Sequence, residues 1–230
     1  MMNNLLVELF VEELPPKALK KLGDAFAGVL LQQLQAQGLA AADAALTAFA
    51  SPRRLAAHVT GVLARAADKA QSLKLMPVAV GLDAAGNATP ALQKRLAAVG
   101  ADVSSPEALA AAVARLKRQP DASGKVGAEA LFHESMLAGV ELAAGLQKAL
   151  NEAIAKLPIP KVMSYQLHTG CELPGWSSVS FVRPAHGLVA LHGASVVPVT
   201  ALGLTAGNAT HGHRFEAAVD PVVLPDADSY

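Results

Sequence analysis

Two histidines near the end of the sequence could bind a metal ion. His211 and His213 are separated by one glycine, and Glu216 and Asp220 follow them. Residues two apart on a strand point to one face, but a zinc site needs a third protein ligand whose position no spacing here fixes. We therefore interpret both histidines as structural, in a tight glycine-rich turn. A small metal-dependent hydrolase that uses His211, His213 and Glu216 is the alternative.

Arginines suited to phosphate or carboxylate recognition occur in two short motifs. In Ser51-Pro-Arg-Arg54 the proline disfavours helix before it, so the arginines should enter a strand from a turn. Arg53 and Arg54 should then point to opposite faces, one toward RNA or a structural partner and the other toward an acid or a helix end. Arg183 and His186 belong to Phe-Val-Arg-Pro-Ala-His, where Arg183 is expected to neutralise an acid or face a ligand.

The densest basic region lies in the middle of the chain and is predicted on two neighbouring helices. Its members are Lys94, Arg95, Arg115, Lys117 and Arg118. If the helices pack antiparallel, these charges fall on one edge and could contact a phosphate backbone. A solvated helix face is the simpler interpretation.

Composition excludes several classes of protein. The 230 residues are 52% hydrophobic and 17% charged, which provides a core and excludes global disorder. Basic and acidic residues balance at 19 each, which argues against a dedicated DNA binder. The single cysteine, Cys171, cannot form an internal disulfide and fits a reducing, cytoplasmic compartment. Neither a signal peptide nor a membrane span is indicated, so we expect no membrane partner.

Hydrophobic periodicity predicts an α+β fold with short mixed or antiparallel sheets and packed amphipathic helices. LLVELFVE predicts a buried strand, and the following prolines with apolar residues at helical spacing predict a helix that ends at Gly38. The next predicted elements are strands in LTAFA and RRLAAHVTGVLA, helices over 90–99 and 105–120, a strand in GAEALFHESML and a helix over 141–157.

The sequence changes character after Leu157. Short strands separated by glycines are predicted from there on, and residues 162–230 hold 2 basic and 5 acidic groups against 17 and 14 in 1–161. We therefore predict an α+β domain over 1–157 and a mostly β region over 158–230. Trp176, in a Pro-Gly-Trp loop, is expected to fold over the core.

Five segments together resemble one family: LLVELFVEELPPKAL, FASPRRLAAHV, LPIPKVM, FVRPAHGLVALHG, and the stretch from VVPV to LGLTAGNATHGHRF. Their order and approximate spacing resemble the β subunit of bacterial tetrameric glycyl-tRNA synthetase over essentially the whole chain. One departure is an insert-like HTGCELPGW before SVSFVRP. The family's β subunit is much longer, and the sequence stops where Asp226 would begin a helix, so we expect an N-terminal piece of a longer protein.

The resemblance implies an enzyme of α and β subunits that joins glycine to its tRNA with ATP and Mg²⁺. The α subunit would carry the chemistry, so this piece is expected to be inactive alone, to bind no cofactor and to contact tRNA, the α subunit or the rest of β. A purely structural role is a further alternative. The residues assigned to RNA or subunit contact, by motif membership and charge, are Arg53, Arg54, Lys94, Arg95, Arg115, Arg118, Lys161, Arg183, His186 and Arg214.

Overall fold

The computed structural model describes residues 1–120, 129–213 and 215–230, and it confirms the α+β fold class. Contacts divide the chain into a first unit, Met1–Ala67 with Gly139–Tyr230, and a second unit, Asp68–Ala138. The boundary predicted after Leu157 falls inside the first unit, because the segment beyond it adds strands to the sheet of the N-terminal strand. Arg214 lies outside the described residues. Within those residues, no helix is long and apolar enough to cross a membrane.

The elements of the described ranges follow in chain order. The strands are β1 (Met2–Val11), β2 (Leu46–Ser51), β3 (Arg54–Leu63), β4 (Lys69–Pro77), β5 (Lys117–Pro120), β6 (Glu129–Leu137), β7 (Met163–Gln166), β8 (Ser178–Phe181), β9 (Ala185–His192), β10 (Ser195–Val196), β11 (Thr200–Ala201), β12 (Leu204–Thr205), β13 (Ala209–Thr210) and β14 (Val222–Val223). The helices are α1 (Leu19–Ala36), α2 (Val78–Gly81), α3 (Pro90–Ala98), α4 (Pro106–Ala114) and α5 (Leu142–Ala155), with 3₁₀ turns at Pro16–Ala18 and Ala227–Ser229.

The main sheet of the first unit contains five antiparallel strands in the order β10-β9-β1-β3-β2. β1 lies at the centre, where Leu5 is opposite Val59 of β3 and His192 of β9. Every residue of β1 from Leu5 to Val11 is buried. Both faces of this strand are therefore covered, as its apolar run predicts.

Helices α1 and α5 cover one face of this sheet. Each helix buries the residues on one of its faces, at the helical spacing that was predicted. The 3₁₀ turn before α1 begins at Pro16, a position where the missing N–H of proline has no cost. Their buried residues form one core with the odd-numbered residues of β1. The main members of that core are Leu5, Val7, Leu9, Leu22, Phe26, Leu30, Leu34, Leu146 and Leu150.

The opposite face is covered by the last residues of the chain. Leu224 and Ala227 pack against Leu6, and the Tyr230 ring packs at the edge of this cluster. The 3₁₀ turn there is fixed by Asp228, which accepts a hydrogen bond of 2.7 Å from the Asn4 amide and lies 2.8 Å from His58 Nε2. These two contacts hold the pKa of Asp228 below its usual value. We refer to residues 208–230 below as the C-terminal segment.

The second unit is a three-stranded antiparallel sheet in the order β4-β6-β5, with α2, α3 and α4 against Leu75 and Leu131. The helix predicted over 105–120 ends earlier, at Ala114, and Lys117–Pro120 form β5 instead. Pairing with β6 explains the difference, because ladder hydrogen bonds override a helical preference that depends on local sequence alone. Lys117 and Arg118 therefore lie on a strand.

The prediction that Trp176 covers the core is wrong, since its side chain is 86% exposed. The loop between β7 and β8 folds on its own backbone: Gly175 N donates to Leu167 O at 2.7 Å, and Trp176 N donates to Leu173 O at 3.0 Å. Gly175 has a φ of +77°, which other residues rarely adopt. This tight turn presents the indole to solvent.

Two glycines of α1 provide a test of the packing between helix and sheet. A Cβ on buried Gly23 would lie 2.6 Å from Ala50 Cβ on β2, whereas a Cβ on exposed Gly28 would meet nothing within 4 Å. We expect Gly28→Ala to stabilise the protein by about 0.5–1 kcal/mol through helix propensity. Gly23→Ala should destabilise it by about 1 kcal/mol, since overpacking outweighs that gain. Urea unfolding measures both, and equal stabilisation by the two substitutions would contradict the close contact.

Candidate functional site

Three of the sequence motifs meet at one end of the main sheet. Val11 N donates to Arg53 O at 2.8 Å, Leu14 N donates to Pro52 O at 2.6 Å, and Glu12 N donates to Pro184 O at 3.0 Å. The backbone after β1 is thus held between the Ser-Pro-Arg-Arg turn and the Arg-Pro-Ala-His segment. Consequently Arg53, Arg54, Arg183 and His186 are all brought to this end of the sheet.

Arg54 has a structural partner in Glu8, a buried acid in the middle of β1. Arg54 Nη1 lies 3.4 Å from Glu8 Oε2, and Nη2 donates to the His211 carbonyl at 2.7 Å. The hydroxyl groups of Thr210 and Tyr230 also donate to the Glu8 carboxyl group. The expectation that one arginine of the pair meets an acid is confirmed for Arg54, and its guanidinium faces the protein interior.

Tyr230 completes this network from the C-terminal segment. Burial, together with the neighbouring Glu8 carboxylate, raises the pKa of the Tyr230 phenol. The phenol therefore stays protonated, and able to donate, throughout the neutral range. A cavity of about 580 Å³ lies beside it, lined by residues that include Phe49, Arg54 and His211.

Arg53 lies in the turn just before β3, half-buried against Phe10, so the strand alternation predicted for Arg53 and Arg54 does not apply. Its guanidinium carbon is 4.9 Å from the centre of the Phe10 ring, and the Arg54 guanidinium is 5.6 Å from the same centre. The His211 ring lies 4.9 Å from Phe10 as well. Phe10 thus supports both arginines through cation–π contact.

Arg183 and His186 are exposed and form contacts with the segment after β1. Arg183 Nε donates to the Glu13 carbonyl at 3.2 Å, and His186 Nε2 lies 3.2 Å from Glu12 Oε1. At this end of the sheet, Glu12 thus contributes its carboxylate and Glu13 its backbone carbonyl. Solvent screens such exposed pairs, so Arg183 and His186 can exchange these contacts for an external partner at low cost.

The other predicted contact residues are distributed elsewhere. Lys161 is exposed just before β7. Lys94 and Arg95 lie on α3, Arg115 follows α4, and Arg118 lies on β5, all exposed and all in the second unit. The prediction of one basic edge on two helices is corrected in that Lys117 and Arg118 belong to a strand. The residue assigned at position 214 is outside the described residues.

The two histidines considered as metal ligands have separate partners. His211 Nδ1 lies 3.0 Å from Asp220 Oδ1, whereas His213 Nδ1 lies 3.8 Å from Glu216 Oε2. Among the described residues, no three histidine, cysteine or carboxylate side chains come close enough together to hold a metal ion. Nothing in this geometry supports the hydrolase alternative.

Sequence reasoning missed Glu8, Thr210 and Tyr230 as a connected group. One signal was available: Glu8 interrupts an apolar run on the face that also carries Leu6 and Phe10. A charged residue there has to find partners when it is buried. Together the contacts at this sheet end are those of a structural or binding module, with its charges engaged by neighbouring segments.

Comparison with known proteins identifies which module this is. The profile of the family described as glycyl-tRNA synthetase beta subunit matches residues 5–230. The chain therefore belongs to the family of glycyl-tRNA synthetase beta subunits, and the resemblance seen in its motifs is confirmed.

Its relatives agree with this assignment. The chain is 74% identical to the glycine–tRNA ligase beta subunit of Polaromonas naphthalenivorans (strain CJ2), over 99% of this chain and 31% of that protein. Identity is 72% with the corresponding protein of Paracidovorax citrulli (strain AAC00-1), over the same shares. With that of Thiobacillus denitrificans (strain ATCC 25259 / T1) it is 66%, over 99% and 30%. The chain thus spans about a third of the length of these curated relatives.

Glu8 and Glu12 form a matched pair for testing the buried network. Glu8 is 1% exposed, whereas Glu12 lies in an exposed pair with His186. We expect Glu8→Ala to lower the free energy of unfolding by about 2–4 kcal/mol, since it leaves Arg54 without its buried partner. Glu12→Ala should cost no more than about 0.5 kcal/mol. Urea unfolding gives both values, and limited proteolysis should show faster cleavage within the C-terminal segment in Glu8→Ala alone. Equal stability of the two variants would contradict a structural role for Glu8.

Proposed function

We propose that this chain is the N-terminal part of the β subunit of a glycine–tRNA ligase, which joins glycine to its tRNA with ATP. The observation that carries this proposal is the family match across residues 5–230, at high identity to proteins of that name. In this proposal the α subunit performs the chemistry with ATP and Mg²⁺. This part of β, in the cytoplasm, is a scaffold that contacts the α subunit and the tRNA.

The β7–β8 hairpin supports a docking role within that scaffold. Exposed large apolar side chains occur along it and just before it: Val162, Met163, Leu173 and Trp176. Exposed aromatic and aliphatic side chains close together are typical of protein interfaces, where tryptophan in particular contributes much of the binding energy. The insert-like HTGCELPGW carries two of them, so this contact would be specific to chains with that insert.

A tRNA contact is supported by the exposed basic residues rather than by Arg54. The Arg54 guanidinium is held by Glu8 and the His211 carbonyl, so it is poorly placed to bind a phosphate. Lys94, Arg95, Arg115 and Arg118 are exposed in the second unit. They remain the residues that we propose for contact with the tRNA backbone.

Trp176 and Phe215 allow the docking role to be tested with a matched control. Both are aromatic and largely exposed, at 86% and 84%, but only Trp176 belongs to the hairpin. We expect the 230-residue chain to bind a purified glycine–tRNA ligase α subunit in calorimetry, and Trp176→Ser to weaken that binding at least about tenfold. Phe215→Ser should leave it unchanged. Equal loss in both variants, or no effect of Trp176→Ser, would reject the hairpin as the docking surface.

Titration with tRNA at two salt concentrations tests the RNA role separately. Because the chain has no net charge, we expect a dissociation constant for glycine tRNA of about 10⁻⁴–10⁻⁶ M at physiological salt. Combined replacement of Arg95 and Arg118 by glutamine should weaken binding and make its salt dependence shallower. Unchanged affinity and slope would place tRNA recognition outside these residues, whatever the hairpin does.

A further inference from the structure

In the sheet of the second unit, one face packs against the helices and the other carries mostly exposed side chains. Leu131 of the central strand β6 packs against the helices, so its neighbour Phe132 lies on the opposite face. Side chains of all three strands share that opposite face, and apart from half-buried Phe132 those named here are exposed. We call this the open face; its main residues are Ser72, Lys74, Lys117, Phe132 and Glu134.

A lysine flanks the Phe132 ring on each side. Strand register places Lys74 of β4 directly opposite Phe132, and Lys117 of β5 opposite it on the other side. Side chains that face each other across antiparallel strands are neighbours, with Cβ atoms about 5 Å apart. The open face therefore carries a lysine, an aromatic residue and a second lysine in one cross-strand row.

We propose that the open face binds single-stranded RNA, with a base stacked on Phe132 and the flanking phosphates contacted by Lys74 and Lys117. An aromatic side chain on a sheet offers a stacking surface to any base, and lysines beside it follow the charged backbone. This combination fits a single strand better than a duplex, because paired bases are already stacked on one another. It fits nucleic acid better than an apolar protein surface, because the single ring lies between two charged groups.

Glu134 modulates the charge of this row. Its carboxylate lies 2.8 Å from Lys117 Nζ, and both side chains are about half exposed, at 45% and 60%. Exposed pairs of this kind contribute little to stability, so a phosphate can compete for the lysine. Glu134 thus limits affinity for a polyanion rather than preventing binding.

That the ligand is RNA rather than single-stranded DNA rests on the proposed function. That the open face binds a single strand is argued from its own residues. The closing experiment therefore uses oligonucleotides rather than the ligase reaction or the α subunit. The hairpin can fail to bind the α subunit while the open face binds RNA. Equally, the hairpin can bind the α subunit while the open face binds no RNA.

Fluorescence anisotropy of a labelled twelve-nucleotide RNA with the 230-residue chain at low salt tests the proposal. We expect the single strand to bind more tightly than a duplex of the same length. Phe132→Leu should weaken binding of the single strand about 5- to 100-fold, and Phe132→Tyr should retain it. Lys117→Gln should lower the salt slope by about 0.7, whereas Lys69→Gln, which removes a charge from the other face of β4, should not. Glu134→Gln should strengthen binding.

Several results would overturn the proposal. Equal affinity for single strand and duplex would show that only charge is recognised. Stacking would be excluded if both Phe132→Leu and Phe132→Tyr bound the single strand as tightly as the original chain does. An unchanged circular dichroism spectrum would show that the variants are folded. Weaker binding of the α subunit by Phe132→Leu, with RNA binding intact, would mean that the open face takes a protein instead.

Discussion

The first unit depends on the burial of one acidic side chain at the centre of its main sheet. Taking the Glu8 carboxylate out of water costs several kcal/mol, which is recovered only if its donors are in place. Those donors are the guanidinium of Arg54 and the hydroxyl groups of Thr210 and Tyr230, contributed by β3, β13 and the end of the C-terminal segment. Because no one of these segments can leave without exposing an unsatisfied buried group, Glu8 couples them into one arrangement.

This coupling also determines which basic residues can meet a partner. Arg53 and Arg54 are neighbours in sequence, and both contact the Phe10 ring, yet only Arg54 also reaches the buried acid. Arg54 is held by Glu8, and Arg53 lies against the Phe10 ring. Their motif is therefore explained by the structure of the sheet end alone. Phosphate contact is better supplied by basic groups whose partners are solvent or exposed acids, such as Lys117, since those can be exchanged.

Secondary structure could be predicted from the sequence where a hydrophobic pattern extends over many consecutive residues. The apolar run of β1 and the helical spacing of α1 and α5 predicted these elements, because burial on one face leaves a periodic pattern. The sequence did not predict contacts between residues that lie far apart along the chain. Thr210 and Tyr230 meet Glu8 across 202 and 222 residues, and no local pattern encodes that meeting. The pairing of β9 with β1 is equally distant in sequence, and it joins the segment after Leu157 to the sheet of the N-terminal strand.

Local errors had a different cause. Residues 117–120 have no strong strand signal of their own, and they form β5 because β6 offers a partner edge. Trp176, in its Pro-Gly-Trp loop, was expected to fold over the core. Its loop instead closes on its own backbone, which leaves the indole no route to the interior. In both places a tertiary or turn constraint outweighs the average preference of the residue type.

The charge balance of the chain restricts how its two proposed surfaces can work. With 19 basic and 19 acidic residues there is no long-range field to attract a polyanion, so recognition has to come from short-range contacts. The hairpin offers apolar area, whose contribution depends little on salt, and the open face offers an aromatic ring between two ammonium groups. The two surfaces therefore differ in their response to ionic strength, because only the contact with phosphate involves the release of counterions. Raising the salt concentration should weaken the second while it spares the first.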